Sequence, residues 1–240
     1  MKFKAIAVMA TATALSLGMA GSALASPLSS KPKPAPQVTG TRLQSALLPA
    51  SAFGAGFTVT DHLNTGKKLL STKARIKLSS LSCENFAIFI YIGGFGNTAG
   101  AVDGVNNPDP SFANYPNVVV AGDQAVLQFK TTQAAASFYN QAYAKYQQCN
   151  AFTENLDNLQ LELTTSSLST TTINKNKAFQ LIQYADVAAL PVASEYQSTA
   201  FVLSGTNVYT IDDVGGTNDP ISASLLGTFI NRVQSLYKHH

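Results

Sequence analysis

The sequence predicts one exported domain built from both strands and helices, and three stretches carry that prediction. Between Asn117 and Cys149 a strand turns directly into a helix that ends on a cysteine. Further on, the runs TAFVLS and NVYTID flank Gly205-Thr206 as the two arms of a hairpin do. Near the carboxyl end, Asp219 as N-cap and Pro220 at the first helical position open a helix with a continuous apolar face, and such a face has to pack on a sheet.

At the amino end, Lys2 and Lys4 precede an apolar run from Ala5 to Ala20, and the small residues Ala23-Leu24-Ala25 precede Ser26. This is the pattern of a secretory signal peptide over 1–25, cut after Ala25. The run falls short of the roughly 20 apolar residues that a membrane span needs, is closed by Gly21 and Ser22, and has no longer counterpart downstream. With Ser26 rather than a cysteine after the cut, no lipoprotein anchor is expected. The expectation is a secreted, extracellular protein that can still associate with the envelope.

Residues 26–42 hold prolines and alternating lysines with no apolar period, which reads as a disordered leader. The chain of 240 residues has 16 basic and 13 acidic side chains, and removing the signal takes two lysines with it. A nearly neutral chain carries no electrostatic footprint for nucleic acid. Its length suits one domain over 43–238 with one sizeable core.

Within that domain, Leu47 and Leu48 precede PASAFGAGF, where Pro49, Gly54 and Gly56 limit any helix to a short one before a strand near 57–61. Lys67, Lys68, Lys73, Arg75 and Lys77 form the chain's basic cluster, which fits a solvated loop better than a polyanion site. The segment 79–92 fits a buried strand or a helix capped by Ser82. The following GGFGNTAG superficially matches a dinucleotide fingerprint, but AVDGVNNPDPSFANYP cannot open the helix that motif requires, so a mobile glycine loop is expected. In that loop Asp103, Asn106, Asn107 and Asp109 could gather oxygens around calcium, although they follow no established spacing.

The central unit is the most clearly specified. Val118, Val120, Ala125, Leu127 and Phe129 form the strand, and Thr131 or Thr132 caps the helix. Ala135, Phe138, Tyr139, Ala142, Tyr143 and Tyr146 then recur at spacings of three and four, an aromatic stripe that serves as core more often than as a ligand platform. Lys145, Gln147 and Gln148 are left to solvent. Beyond Cys149, the alternating Leu159, Leu161 and Leu163 make a strand, SSLSTTTINKNK a polar turn, and 178–187 another strand. The apolar face of the last helix comprises Ile221, Leu225, Leu226, Phe229, Ile230, Val233, Leu236 and Tyr237.

Cys83 and Cys149 are an even count in an exported chain, which reads as a disulfide. A bridge over that 66-residue separation would restrict the unfolded chain by ~4 kcal/mol on the loop-entropy account. Its role is structural.

The order of these elements resembles the PknH-like extracellular sensor domain family. The residues that carry the likeness are LLPASAFGAGF from Leu47, Cys83, the segment FKTTQAAASFYNQAYAKYQQC, GTNVYTID from Gly205 and the helix after Pro220. Family members usually have two disulfides, of which this chain matches the first, and Tyr146 stands where a tryptophan is common. The resemblance implies an α+β domain, a twisted antiparallel β-sheet flanked by helices around a deep cleft that binds an unidentified ligand. The 79–92 segment is helical on the same ground.

For an enzyme the inventory is thin. His239 and His240 lie at the terminus, which leaves His62 in the fold, and neither a Gly-x-Ser-x-Gly elbow nor a His-Glu-x-x-His helix is present. Glu84, Glu154, Glu162, Glu195, Asp212 and Asp213 are the carboxylates available for an acid and base pair, and the sequence joins no two of them. No catalytic, cofactor or metal residue is therefore assigned, and the assigned site residues are Cys83 and Cys149. The expected function is a monomeric, non-catalytic, sensor-like domain that binds a small molecule or an envelope polymer. A secreted hydrolase and an envelope interaction protein are the alternatives.

Overall fold

The structure, a computed structural model, describes residues 36–65, 76–89, 93–107, 120–156, 159–187, 195–215 and 218–238. Its plan follows from one strand and the helix after it. The strand β3 (Val120–Phe129) stops at Phe129, and the Thr131 hydroxyl accepts a hydrogen bond from the Ala134 N–H at 3.1 Å, capping α3. This helix, Thr132–Gln148, covers about 25 Å at 1.5 Å per residue.

Two strands precede β3: β1 (Thr58–Asn64) and β2 (Asn97–Asn107). Five follow α3: β4 (Ala151–Leu156), β5 (Leu159–Ile173), β6 (Asn176–Val187), β7 (Glu195–Ser204) and β8 (Asn207–Gly215). They form one eight-stranded antiparallel sheet in the order β1-β2-β3-β8-β7-β6-β5-β4. From β3 to the far edge at β4 is five strand spacings, about 24 Å at 4.8 Å each, which matches the length of α3. The helix delivers the chain to that edge, and a meander then returns to pair β8 with β3.

The strand period distributes the core over both faces. On one face Ala99, Ala101, Val126, Val202, Tyr209 and Ile211 share a cluster with residues of α1 (Gly40–Ser45) and α4 (Ala223–Ser235). On the other, Val102, Ala125, Leu127, Phe129, Phe179 and Phe201 pack with α3 and with Phe86 of α2 (Cys83–Phe89). Phe179 and Phe201 stack at 4.6 Å between ring centroids, and Tyr146 meets Phe86 edge-on at 4.7 Å. The aromatic stripe of α3 is therefore core, with Phe138, Tyr139 and Tyr146 buried. Cys83 is bonded to Cys149, tying the start of α2 to the end of α3, and Lys145 reaches back to donate to the Leu81 carbonyl at 2.7 Å.

Two glutamines of β3 hold the entering chain against the sheet. Gln128 accepts from the Val38 N–H at 2.9 Å and donates to the Val38 carbonyl at 3.1 Å. Gln124 makes the same pair of bonds with Leu48, each 2.7 Å. Each side-chain amide thus stands in for a peptide of a further strand. The Tyr237 hydroxyl joins Gln128 at 2.7 Å, and Arg232 Nε donates to the carbonyls of Ala46 and Leu47 at 3.1 Å.

Several expectations need correction. The leader expected over 26–42 overruns the fold: Val38 is buried and α1 begins at Gly40, so 36–42 belong to the folded body. The glycine loop expected after 93 is strand β2 from Asn97, because small residues pack where α1 and β3 come close and the strand shows no bulky period. The polar turn expected over SSLSTTTINKNK is mostly strand β5, and the turn is only Asn174-Lys175. Both have positive φ, 48° and 66°, as a two-residue hairpin that matches the strand twist requires. Threonine-rich sequence is polar yet favours strands. The last helix starts later than Asp219, since the Asp219 carbonyl is held by the Ser198 hydroxyl at 2.7 Å and Ser222 is the N-cap, accepting from Leu225 N–H at 3.1 Å. Ile221 and Leu226 bracket that cap in one core cluster, the positions of a hydrophobic staple.

Within 79–92 the described residues Cys83–Phe89 form α2, with Ser82 Oγ accepting from Asn85 N–H at 3.1 Å, after a 3-10 turn over Leu78–Ser80. The signal peptide, the basic cluster up to Arg75, Asp109, Val118, His239 and His240 lie outside the described residues. The deep cleft does not emerge from the described residues, among which hollows of about 200 Å³ and 260 Å³ are found. No helix among the described residues is long and apolar enough to cross a membrane.

Candidate functional site

Strand register places a row of polar side chains across the α3 face of the sheet, beyond the aromatic core. On β8, the positions in phase with buried Val208 are Thr210 and Asp212. On β3, the position in phase with Ala125, Leu127 and Phe129 is Asp123. Asp123 and Asp212 are direct cross-strand partners, so two carboxyl groups share one face on neighbouring strands. Asp123 is also opposite Gly104 of β2, which is opposite Asp61 of β1.

The other side of Asp212 is dressed by donors. Thr199 donates to one of its oxygens at 2.9 Å and Gln197 to the other at 2.6 Å. Gln197 is in turn the partner of Gln183 on β6, and Gln183 of Thr165 on β5. The row therefore runs Thr165, Gln183, Gln197, Asp212, Asp123, Gly104, Asp61 from strand to strand. Buried Gln183 Nε2 and Thr210 Oγ1 have no hydrogen-bond partner, a state that costs roughly 1–3 kcal/mol each.

Burial disfavours the charged form of these acids. Desolvation, with the nearby charge of Asp123 adding to it, pushes Asp212 up to about 7 despite its hydrogen bonds from Gln197 and Thr199. Asp123 is pushed up to about 6 by desolvation and by Asp61. Among the described residues no lysine, arginine or histidine neutralises the three carboxyls. The recorded ion pair lies on the opposite face, where His62 Nδ1 meets Asp103 Oδ1 at 2.8 Å and Gln44 donates to the same oxygen at 3.2 Å.

Of the carboxylates weighed from sequence whose side chains are described, Asp212 is the one in this row. Asp213 points to the other face, and Glu162 is exposed. His62 is mostly exposed and sits across the sheet from the acids. Asp103, Asn106 and Asn107 are on β2 rather than in a loop, and no group of three His, Cys, Asp or Glu among the described residues could hold a metal ion. Asp61 and Asp123 were missed. The signal for Asp123 was available, since a charged residue in phase with Ala125, Leu127 and Phe129 cannot be on a solvated face.

One apolar hollow lies apart from the row. The rings of Phe95, Phe129 and Phe138 lie 5.2 Å apart in sequence of contact and, with Leu78 and Ile76, line about 200 Å³ beside the amino half of α3.

No protein-family model and no curated protein matches this chain. A solved structure does: the extracellular domain of PknH from Mycobacterium tuberculosis superposes with a TM-score of 0.59 at 14% identity, covering 82% of this chain and 97% of that one. At that identity the likeness is one of fold.

Proposed function

We propose that the protein is a non-catalytic domain that acts outside the cell or at its envelope and binds a small-molecule or envelope-polymer ligand along the polar row of the α3 face. The observation that carries this reading is that Asp212, Asp123, Thr210 and Gln183 are kept under cover at a cost to stability. A face needed only for packing gains nothing from them, whereas a binding face needs such groups ready for a partner. Export rests on the signal pattern over 1–25 and agrees with the Cys83–Cys149 disulfide. The shared fold with the extracellular domain of PknH supports a sensor-like role for this domain.

A thermal-shift screen of envelope glycans, lipids and peptides tests the reading. A ligand at about 100 times its Kd raises stability by ~2.7 kcal/mol, and Asp123→Asn should reduce that shift. A ligand whose shift is untouched by Asp123→Asn would move the site elsewhere. Hydrolysis is the second reading, because two neighbouring carboxyls with raised pKa values are the raw material of acid and base catalysis. It would displace the first if a substrate were turned over and Asp123→Asn or Asp212→Asn stopped turnover in a folded protein.

A further inference from the structure

The long strand β5 is bordered by β6 over 161–173 but by β4 only over 159–164. The last bond on the β4 side runs from the Thr165 N–H to the Asn150 carbonyl at 2.7 Å. A bulge follows between Thr165 and Ser167, where the Ser166 hydroxyl donates to the Ile182 carbonyl at 3.1 Å, and bulges of this kind terminate pairing. Beyond it, among the described residues, the outer edge of β5 has no partner strand. Ser166, Ser167 and 169–172 are exposed.

The hairpin fixes which backbone groups face outward. Ile173 and Asn176 are partners across the two-residue turn, so their N–H and C=O groups face each other. Antiparallel pairing alternates along the strand, which turns Ser169 and Thr171 toward β6 and turns Leu168, Thr170 and Thr172 away from it. Each of those three offers an N–H and a C=O to solvent. Charges, prolines and bulges normally blunt such an edge, as they do at the far side of the sheet, where β1 has a bulge between Val59 and Asp61 and exposes Asp61 and His62. The run 166–172 of β5 has no charge and no proline, and its threonines favour strands.

We propose that this edge is a homodimer interface, in which the β5 strands of two copies pair antiparallel across a two-fold axis at Thr170. The outward groups set that register. With Thr170 opposite its own counterpart, Leu168 meets Thr172 of the second copy and Thr172 meets Leu168 of the second copy, so every outward residue pairs with an outward residue. A slip of one residue would set outward groups against inward ones, and a slip of two would leave one of the three unmatched. The edge is therefore self-complementary, as an isologous contact requires. A foreign peptide fits it less well, because strand addition selects its peptide through pockets for alternate side chains, and this edge carries exposed hydroxyls instead. The five paired residues span about 17 Å and bury far less than the ~800 Å² per partner of a standard interface, so the association is weak and reversible. The result is a monomer–dimer equilibrium in place of the monomer expected from sequence, and it is independent of the ligand reading.

The test uses the full mature chain in sedimentation equilibrium from about 10 µM to about 1 mM, the range in which so small an interface forms. The protein should pass from monomer to dimer across it. Amide hydrogen exchange followed by nuclear magnetic resonance should slow threefold or more over that range at Leu168, Thr170 and Thr172, whereas Ser169 and Thr171, bonded to β6 in both states, should change little. Thr170→Lys places two like charges across the axis on an exposed position, and Thr170→Pro removes one outward N–H without touching the ladder to β6; each should leave the chain monomeric at the highest concentration. If the proline variant fails to fold, the lysine variant decides. A chain that stays monomeric throughout, a dimer that survives Thr170→Lys, or a dimer in which the three amides exchange as fast as in the monomer would overturn the proposal. Protection of those amides by an added peptide of sequence 166–173, without any dependence on protein concentration, would assign the edge to a foreign strand and overturn it as well.

Discussion

Replacing Asp212 by Asn removes the most unfavourably placed charge in the described sheet. The carboxyl moves from an ordinary value of 3.8 to about 7 on folding, chiefly through desolvation. Between those values the folded state holds more protons than the unfolded state, so stability falls as pH rises through the window. Across about three pH units, at about 1.36 kcal/mol each, the loss is on the order of 4 kcal/mol at pH 8. Asparagine keeps an oxygen for Thr199 but offers an NH₂ group to Gln197 Nε2, which loses an acceptor at a cost of about 1–2 kcal/mol. The variant should therefore be more stable than the parent by about 2 kcal/mol at pH 8 and slightly less stable at pH 4.5. Urea unfolding at pH 4.5, 6 and 8, followed by circular dichroism, reads this as two midpoint curves that cross. Some slope should persist, because Asp123 is also raised, to about 6. A variant weaker than the parent at pH 8, or one with an unchanged pH slope, would show that Asp212 is not held against a desolvation penalty.

Other outcomes follow from single contacts. Intact mass after alkylation should show no free thiol until reductant is added, and two alkylated cysteines in the unreduced native protein would contradict the Cys83–Cys149 bond. Ser222→Ala should lower stability by about 1 kcal/mol, whereas Asp219→Ala should change it far less, reversing the order expected if Asp219 were the cap. Gln124→Leu should cost more than either, about 2–3 kcal/mol, because two buried backbone groups of Leu48 lose their partners; an unchanged urea midpoint would show that water replaces them. Amino-terminal sequencing of the exported chain should begin at Ser26, and a mature chain that retains Lys2 would refute the proposed cut.

What could be read from sequence was what local period decides. The α3 stripe, the Gly205 hairpin and the apolar face of α4 each repeat within one element, so neighbours in sequence reveal neighbours in space. The rest depended on register between distant strands. Ala125, Val126 and Leu127 are buried in succession because both faces of the sheet are covered, which erases the alternation that marks a half-exposed strand. In β2 the packing is done by Ala99, Ala101 and glycines, whose sequence looks like a loop. The acidic row is less legible still. Asp61, Asp123 and Asp212 belong to three segments with no common motif, and only the ordering of β1, β2, β3 and β8 brings them side by side. The charged residue in an apolar phase at Asp123 was a local clue to burial, but not to its partners.

The glutamine clamps on β3 give the leading segment a mechanical character distinct from that of the sheet. Gln128 and Gln124 fasten the chain at Val38 and Leu48 like two stitches, each a pair of bonds, with the intervening helix lying between them. Tension applied ahead of Val38 loads the first stitch together with the side-chain bonds of Gln37 to Phe129, Thr98 and Gln128, and reaches the second only after these have opened. A pull along β3 would instead shear its ladder bonds to β2 and β8 together. Held by its leading end, the molecule should yield first by unzipping the segment between the stitches, releasing about 35 Å of chain at 3.5 Å per residue before the sheet is strained. A single-molecule trace whose first step is the whole sheet would show that Leu43, Leu47 and the Arg232 contacts bind this segment more firmly than the stitches do.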